Sequence, residues 1–331
     1  AALGPTIGGF LTGISWHLVF LINLPIGVVL LRLAVRHVRD TEHDEDAKTP
    51  DLLGALLLAA AVGLFALGLV QSPEWGWGSP ATLGALAASV VFAFLFVVRS
   101  RRHAAPVIDP RLLRVRSFMW ANASMLIFNV AFAANTLIFV LWMQQVWGWS
   151  PLLTGLAIAP GPAMVPITVA LTSRFLRRAR PERLASVGAV LVAVATVYIA
   201  LSAGSEANYW LGYFPGTIVS GMGVGLASPN LMAAATHNLP PAQSSTGTGM
   251  STMARQIGYV IGISMLFAIV GSMQALGPEV AFRTVLLVSV GVLLISSLSA
   301  FGVTTARHAT PAAPTRAPAT PSPEEASEPT A

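Results

Sequence analysis

Three polar side chains recur at seven-residue intervals within one long apolar stretch of the chain. Asn122, Asn129 and Thr136 all lie in the stretch 118–142, so they share one face of a helix. Amides and hydroxyls in such a stretch either line a wet cavity or hydrogen-bond to a neighbouring helix. The sequence leaves these two alternatives open with about equal weight. The face therefore indicates either non-covalent ligand recognition or helix packing.

Bulky apolar side chains accompany this polar face. Met125, Phe132 and Phe139 lie beside it in the same stretch. An aromatic and thioether surface mixed with amides suits bulky amphipathic compounds. Our candidates for a substrate path are therefore Asn122, Asn129, Thr136, Asn135, Gln144, Phe132 and, in an earlier stretch, Asn23.

Of the two arginines outside the basic loops and the tail, Arg255 is the one on the expected inner side of the membrane. Arg255 lies near the start of the apolar stretch 248–272, so it is a candidate for a charge buried within the membrane. Its stem can snorkel to the cytoplasmic interface. Alternatively, it pairs with a helix C-terminus or with an acid elsewhere. We favour the structural interpretation, because the distance to the interface is short.

These residues must be positioned by the ten apolar stretches that make up most of the chain. Most stretches approach the roughly 20 residues that cross a hydrocarbon core about 30 Å thick. They are too long and too unalternating for the strands of a barrel. The sequence predicts an all-α polytopic membrane protein with nine full spans and one partial span. The stretches are 1–14, 17–35, 52–71, 81–98, 118–142, 152–172, 184–203, 209–230, 248–272 and 282–302.

Composition supports a membrane protein and excludes several kinds of site. The chain is 54% hydrophobic and 10% charged, with a mean hydropathy of +0.70, which is outside the soluble range. It contains no Cys, which excludes disulfides, thiolate catalysis and Cys-ligated metals. It has no GxxxxGK[ST] phosphate loop, so ATP-driven transport by this chain is not expected. We expect no cofactor and no metal site.

Positive charge alternates between the loops. Apart from Arg255 and Arg283, every one of the 19 Lys and Arg residues lies on alternate loops or on the tail. Basic loops mark the cytoplasmic side. We therefore expect a multi-pass protein of the cell membrane with a cytoplasmic C-terminus. The high pI then reflects membrane orientation and contact with membrane lipids, and we expect no nucleic-acid partner.

The alternation of apolar stretches and charged loops also predicts the organisation of the chain. A two-span insert separates the end of one helix bundle from a second bundle of six helices. The predicted regions are the end of an N-terminal bundle (1–39), an acidic cytoplasmic loop (40–51), the two-span insert (52–98), a basic cytoplasmic linker (99–117), a C-terminal six-helix bundle (118–305) and a disordered cytoplasmic tail (306–331).

A run of small residues near the start carries a family resemblance. Gly4 and Gly8, and likewise Pro5 and Gly9, are four residues apart, which lets another helix approach closely. Followed by Trp16 and Phe20-Leu21-Ile22-Asn23-Leu24-Pro25-Ile26-Gly27, this run resembles the antiporter motif and the next span of the major facilitator superfamily. More narrowly, it resembles the fourteen-span drug:proton antiporter family. Residues 75–78, 144–151 and 255–258 agree with the same family.

The resemblance implies a major-facilitator-type helix bundle in which the ten stretches are spans five (partial) to fourteen. About four further spans are then expected before Ala1. It also implies a secondary exporter of small amphipathic or cationic compounds, driven by protons, working by alternating access and acting as a monomer when full length. No Asp or Glu lies deep inside any stretch. A coupling acid is therefore expected in the upstream spans.

The chain departs from the family pattern at one inner loop. At 173–180 the family's acidic residue is replaced by Arg177, so a gating role for Arg174 or Arg178 is not supported.

The first alternative function is a nutrient or metabolite transporter of the same superfamily. The second is a membrane-embedded transferase, which generally needs clusters of Asp, Glu or His that this sequence lacks.

Overall fold

The chain folds into long helices joined by short loops. Within the described residues no strand occurs, and nine helical segments are long and apolar enough to cross a membrane. This confirms the prediction of an all-α polytopic membrane protein. The acidic loop, apart from Asp51, and the tail 306–331 lie outside the described residues. The computed structural model describes residues 3–37, 51–176, 178–237, 239–273 and 276–303.

The described residues before position 103 form five helices. The first, at 12 residues, is too short to cross a membrane, whereas the second and third together form one candidate span. The fourth and fifth form an antiparallel pair joined by a tight turn at Gly76, whose φ is 87°. The helices are α1 (Leu3–Ile14), α2 (His17–Leu21), α3 (Asn23–His37), α4 (Leu52–Trp75) and α5 (Pro80–Arg102).

In the part of the chain after position 115, the described residues form six candidate spans built from seven helices. A short 3-10 turn, Leu112–Arg114, precedes the first of them, and a π-helical turn, Tyr209–Tyr213, leads directly into another. The helices are α6 (Arg116–Gln145), α7 (Pro151–Ile158), α8 (Pro160–Phe175), α9 (Pro181–Ser202), α10 (Phe214–Thr236), α11 (Pro241–Ser272) and α12 (Pro278–Phe301).

Polar side chains set where several of these helices begin. The Ser79 hydroxyl accepts a hydrogen bond from the Thr82 N–H, and the Ser150 hydroxyl accepts one from the Leu153 N–H. In both cases proline follows the cap, at a position where no N–H is needed. These local signals determine the starts of α5 and α7.

An ion pair joins the start of α4 to the end of α5. The buried Asp51 carboxylate accepts hydrogen bonds from the Gly54 N–H at 2.8 Å and from Arg99 Nε at 2.6 Å. Burial raises the pKa of Asp51, but the Gly54 N–H and the Arg99 guanidinium together lower it more. The net pKa therefore lies below the ordinary value for aspartate. The carboxylate stays ionised and holds the two helices in register.

Helix α6 is the centre of the six-span bundle and packs against α10, α11 and α12. Its contact with α11 depends on two glycines. A Cβ added at Gly258 would lie 2.5 Å from the Leu126 carbonyl oxygen, and one added at Gly262 would overlap the Val130 carbonyl oxygen. The two backbones therefore approach more closely than any larger residue allows.

Paired serines connect α12 to its neighbours α6 and α9. Ser124 on α6 and Ser296 on α12 each donate to the other's carbonyl oxygen, at 2.8 and 2.9 Å. Ser186 on α9 and Ser297 on α12 exchange the same pair of bonds, at 3.0 and 3.2 Å. These reciprocal bonds fasten α12 to both α6 and α9.

The span that contains α7 and α8 is broken by proline. Pro160 and Pro162 cannot donate backbone hydrogen bonds, and the helix is interrupted at Ala159. Pro166 lies within α8. Next to the break, a Cβ added at Gly161 would lie 2.9 Å from Thr217 Oγ1 on α10.

Candidate functional site

A cavity of about 320 Å³ lies among helices α6 to α11, and most of its lining comes from α6, α8, α10 and α11. Its walls combine aromatic rings, small residues, polar side chains and one cation. The lining residues are Phe132, Asn135, Thr136, Phe139, Ile158, Gly161, Pro162, Val165, Val192, Tyr213, Thr217, Ser220, Gly221, Val224, Arg255 and Tyr259.

Two pairs of aromatic rings form much of the wall. The rings of Phe132 and Tyr259 meet edge to face with centroids 6.2 Å apart, and those of Phe139 and Tyr213 do the same at 5.2 Å. The π-helical turn before α10 places Tyr213 at the cavity. Rings at these separations contribute contact surface for flat or ring-bearing molecules.

Polar groups on one turn of α6 add hydrogen-bonding capacity. Asn135 is 4% exposed, and its Nδ2 donates to the Thr196 hydroxyl at 2.9 Å. Within the described residues, Asn135 Oδ1 has no hydrogen-bond partner. The hydroxyl of the exposed Thr136 donates to the Phe132 carbonyl oxygen at 2.8 Å, which leaves its lone pairs free to accept.

Close contact between α8 and α10 closes one side of the cavity. A Cβ added at Gly221 would overlap the Gly161 carbonyl oxygen, and one added at Gly161 would lie 2.9 Å from Thr217 Oγ1. Small residues at these positions therefore let the two helices touch. The side wall of the cavity consists largely of backbone at this point.

Arg255 brings a positive charge to the cavity wall. The sequence places it near the start of an apolar stretch, but α11 begins earlier, at Pro241, because Gln243–Thr252 continue the helix. Arg255 lies fourteen residues after Pro241, which is about 21 Å along the helix axis at ~1.5 Å per residue. Its side chain is exposed toward the cavity rather than buried in a helix contact.

Comparison with known proteins identifies the family. Residues 1–263 match the Major Facilitator Superfamily, which is most of the chain. The chain belongs to the Major Facilitator Superfamily. The nine candidate spans among the described residues agree with a multi-pass membrane protein of this superfamily. The superfamily resemblance inferred from the motifs is confirmed; the fourteen-span family stays a prediction.

Individual relatives of this Major Facilitator Superfamily chain are exporters and resistance proteins by name. The methylenomycin A resistance protein of Streptomyces coelicolor is 28% identical over 82% of this chain and 57% of its own length. The cephamycin export protein CmcT of Amycolatopsis lactamdurans is 31% identical over 82% and 56%. The multidrug resistance protein Stp of Mycobacterium tuberculosis is 30% identical over 82% and 49%. The chain thus spans about half the length of the curated relatives it matches.

In this Major Facilitator Superfamily chain the structure brings together four of the residues singled out from the sequence. Phe132, Asn135, Thr136 and Arg255 all line the cavity. The first three lie within five positions of α6, and Arg255 reaches the same space from α11. Helix crossing therefore assembles one site from two spans.

Two other candidates on α6 lie away from the cavity. Asn122 is 8% exposed and donates to the Phe118 carbonyl oxygen at 2.8 Å. Asn129 is 3% exposed and donates to the Met125 carbonyl oxygen at 2.7 Å. Both amides bond within their own helix. Their burial favours the packing alternative over the cavity alternative.

The two remaining substrate-path candidates are also separate from the cavity lining. Gln144 is half-buried, near the end of α6. Asn23 is exposed on α3 and donates to the Val19 carbonyl oxygen at 3.2 Å. A role for either in a substrate path remains a prediction.

The glycine-rich run at the start lies on α1, which packs against α7. A Cβ added at Gly9 would overlap the Pro151 carbonyl oxygen, so Gly9 is the closest point of this contact. Gly4 and Gly8 have no other group within 4 Å of an added Cβ, and Pro5 lies one position after Gly4 in the same helix. Gly9 thus lies at a helix contact, and a packing role for the whole run stays a prediction.

Sequence reasoning missed the tyrosines of the cavity. Two of the four tyrosines in the chain, Tyr213 and Tyr259, line it. Their rarity was an available signal, because a tyrosine within a membrane span needs a partner for its hydroxyl. Thr217 and Ser220 on α10 carried no such signal, since small polar residues are common at helix contacts.

Proposed function

We propose that the protein is a proton-coupled exporter of small amphipathic compounds that works by alternating access. The cavity between α6, α8, α10 and α11 carries this proposal. It combines four aromatic rings with amide, hydroxyl and guanidinium groups, which suits bulky molecules that are partly polar. Transporters of this kind place their substrate site near the membrane midplane, between two bundles that rock against each other.

The relatives support export over import. Their printed names describe resistance to methylenomycin A, export of cephamycin and multidrug resistance. At 28–31% identity over most of this chain, the likeness supports the general direction of transport and leaves the substrate open. A nutrient or metabolite transporter is the second candidate, since the cavity chemistry is compatible with either direction.

The fourteen-span type is supported by the α4–α5 pair. These two helices pack on each other, and α4 also contacts α11. Neither helix contributes a residue to the cavity lining. We therefore interpret them as an insert beside the transport bundle rather than as part of the substrate path.

We assign the driving force to protons, and the proton-binding carboxylate to a region outside the cavity described above. No Asp or Glu occurs among the described residues that line this cavity. Proton coupling in a membrane ordinarily uses a group whose charge changes during the cycle. The substrate site and the proton site are then separate.

Export and coupling can be tested together in inverted membrane vesicles containing the full-length protein. With an acidic lumen, we expect a fluorescent amphipathic dye to accumulate inside while protons leave. A protonophore should stop this accumulation. Dye uptake that is unaffected by the protonophore would contradict proton coupling, and uptake favoured by an alkaline lumen would contradict export.

A cavity-filling variant tests whether this cavity is the substrate path. In Ser220→Trp an indole ring enters the cavity from α10, and we expect dye transport to fall at least tenfold with normal protein levels. The matched control is Leu298→Trp on α12, because Leu298 is 69% exposed and lines no part of the cavity. Equal transport by the two variants would show that substrates take another route.

The orientation of the chain follows from the positions of its basic loops, and we propose a cell-membrane location with a cytoplasmic C-terminus. Because the chain has no Cys, single cysteines can be labelled without background. Cysteines at Ser79 and Ser205 should react with an impermeant reagent from outside intact cells. A cysteine at Ala104 should react only after permeabilisation. Labelling of Ala104 in intact cells would reverse the assignment.

A further inference from the structure

The cavity carries a positive charge without a described counter-charge. Arg255 is the charged residue among the described lining, and no Asp or Glu is part of that lining. Within the described parts of the chain, no carboxylate lies within ion-pairing distance of its guanidinium. An arginine on the wall of a cavity between candidate membrane spans is costly to leave unpaired, so its presence indicates a partner that it binds.

The exposure of Arg255 at the cavity wall argues against a purely structural use. Its helix begins about 21 Å away at ~1.5 Å per residue, so the side chain is not at the helix end. It is exposed and shares the cavity wall with Tyr259, one turn further along α11. By contrast, Arg99 and Arg283 are satisfied by Asp51 and Glu279 within hydrogen-bond distance.

The aromatic rings near Arg255 indicate which chemical groups a ligand would carry besides its charge. Phe132 and Tyr259 meet edge to face on one part of the wall, and Phe139 and Tyr213 on another. A ring-bearing molecule can contact these faces while an acidic group reaches the guanidinium. A guanidinium binds a carboxylate through two parallel hydrogen bonds, which gives orientation as well as affinity. A cationic compound would instead be repelled by Arg255.

We propose that Arg255 is the specificity-determining residue of the cavity and that it selects aromatic compounds carrying an acidic group, such as a carboxylate. This inference rests on the proposed export function. It names the substrate class of the same cavity and differs from the cationic compounds that the sequence resemblance allows. The carboxylate binds Arg255, and the rings pack against the aromatic wall.

The test compares two probes of nearly equal shape, coumarin-3-carboxylate and coumarin-3-carboxamide. Binding to the purified full-length protein is measured by probe fluorescence. We expect the wild type to bind the carboxylate at least tenfold more tightly than the carboxamide. Arg255→Gln should lower affinity for the carboxylate at least tenfold and leave the carboxamide within twofold. Arg255→Lys keeps the charge but not the paired hydrogen bonds, so it should give an intermediate loss.

The outcomes separate this inference from the proposed function. No preference for the carboxylate in the wild type, including no binding of either probe, overturns the inference. Equal loss of both probes in Arg255→Gln overturns it as well, because Arg255 would then shape the cavity rather than read the charge. If Arg255→Gln does not fold, unchanged carboxylate affinity in Arg255→Lys overturns it. Dye export in vesicles is measured independently, so the export function can stand when the acidic preference fails.

Discussion

Replacing Gly262 by Ala is expected to destabilise the protein markedly. A single Cβ at this position would overlap the Val130 carbonyl oxygen, which belongs to the backbone of α6 and cannot rotate away. Helices α6 and α11 would have to separate along their main contact. Overpacking of this kind costs roughly 1–3 kcal/mol. The measurement is the thermal stability of the full-length protein in detergent. It is monitored as the fraction that remains monodisperse after heating.

The same helix offers a matched control at Gly249. A Cβ added there meets no other group within 4 Å, although Gly249 lies on α11 like Gly262. Gly249→Ala should leave stability unchanged or raise it by up to about 1 kcal/mol, because alanine favours the helix. Equal melting of the two variants would contradict the close approach of α6 and α11.

A second large effect is expected at Asn129, and it distinguishes the two interpretations of the polar face of α6. Asn129 is 3% exposed, and its Cβ lies 3.0 Å from the position of a Cβ on Gly258. Leucine is bulkier than asparagine, so Asn129→Leu should push α11 away and cost roughly 1–3 kcal/mol. We expect less folded protein. Transport per cell should therefore fall by the same factor for every dye.

Thr136→Leu on the same helix should behave differently. Thr136 is exposed and lines the cavity, so the larger side chain meets open space. Protein levels should stay near normal while the relative export of chemically different dyes changes. The measurement is efflux of several dyes, each normalised to protein in the membrane. A change of dye preference in Asn129→Leu at normal protein level would instead place Asn129 in the substrate path.

Hydropathy alone determined the membrane class and the approximate spans. A stretch of about 20 apolar residues has few alternatives to a spanning helix, because its backbone groups must be bonded internally. The nine candidate spans of the structure therefore follow the apolar stretches closely. The helix ends differ by several residues, since polar residues continue the helices beyond the apolar stretches, as Gln243–Thr252 do in α11.

Motifs of small residues and prolines, which determine how closely helix backbones approach, could also be recognised in the sequence. The order of small residues, prolines and tryptophans indicated the superfamily, and the match over residues 1–263 confirms that level. The four-residue spacing of Gly258 and Gly262 places them on one side of a helix, which is typical of a close-packing face, and both lie against the α6 backbone.

The sequence by itself could not decide which part of a polar face is covered. Asn122, Asn129 and Thr136 share a face by periodicity, but α11 covers α6 at Asn129, where Gly258 allows the contact, and leaves Thr136 open. Only the tertiary structure brought Tyr213, Tyr259 and Arg255 to the same cavity as Phe132 and Asn135. The physical reason is that helix crossing, which depends on contacts between distant glycines and serines, determines which side chains meet.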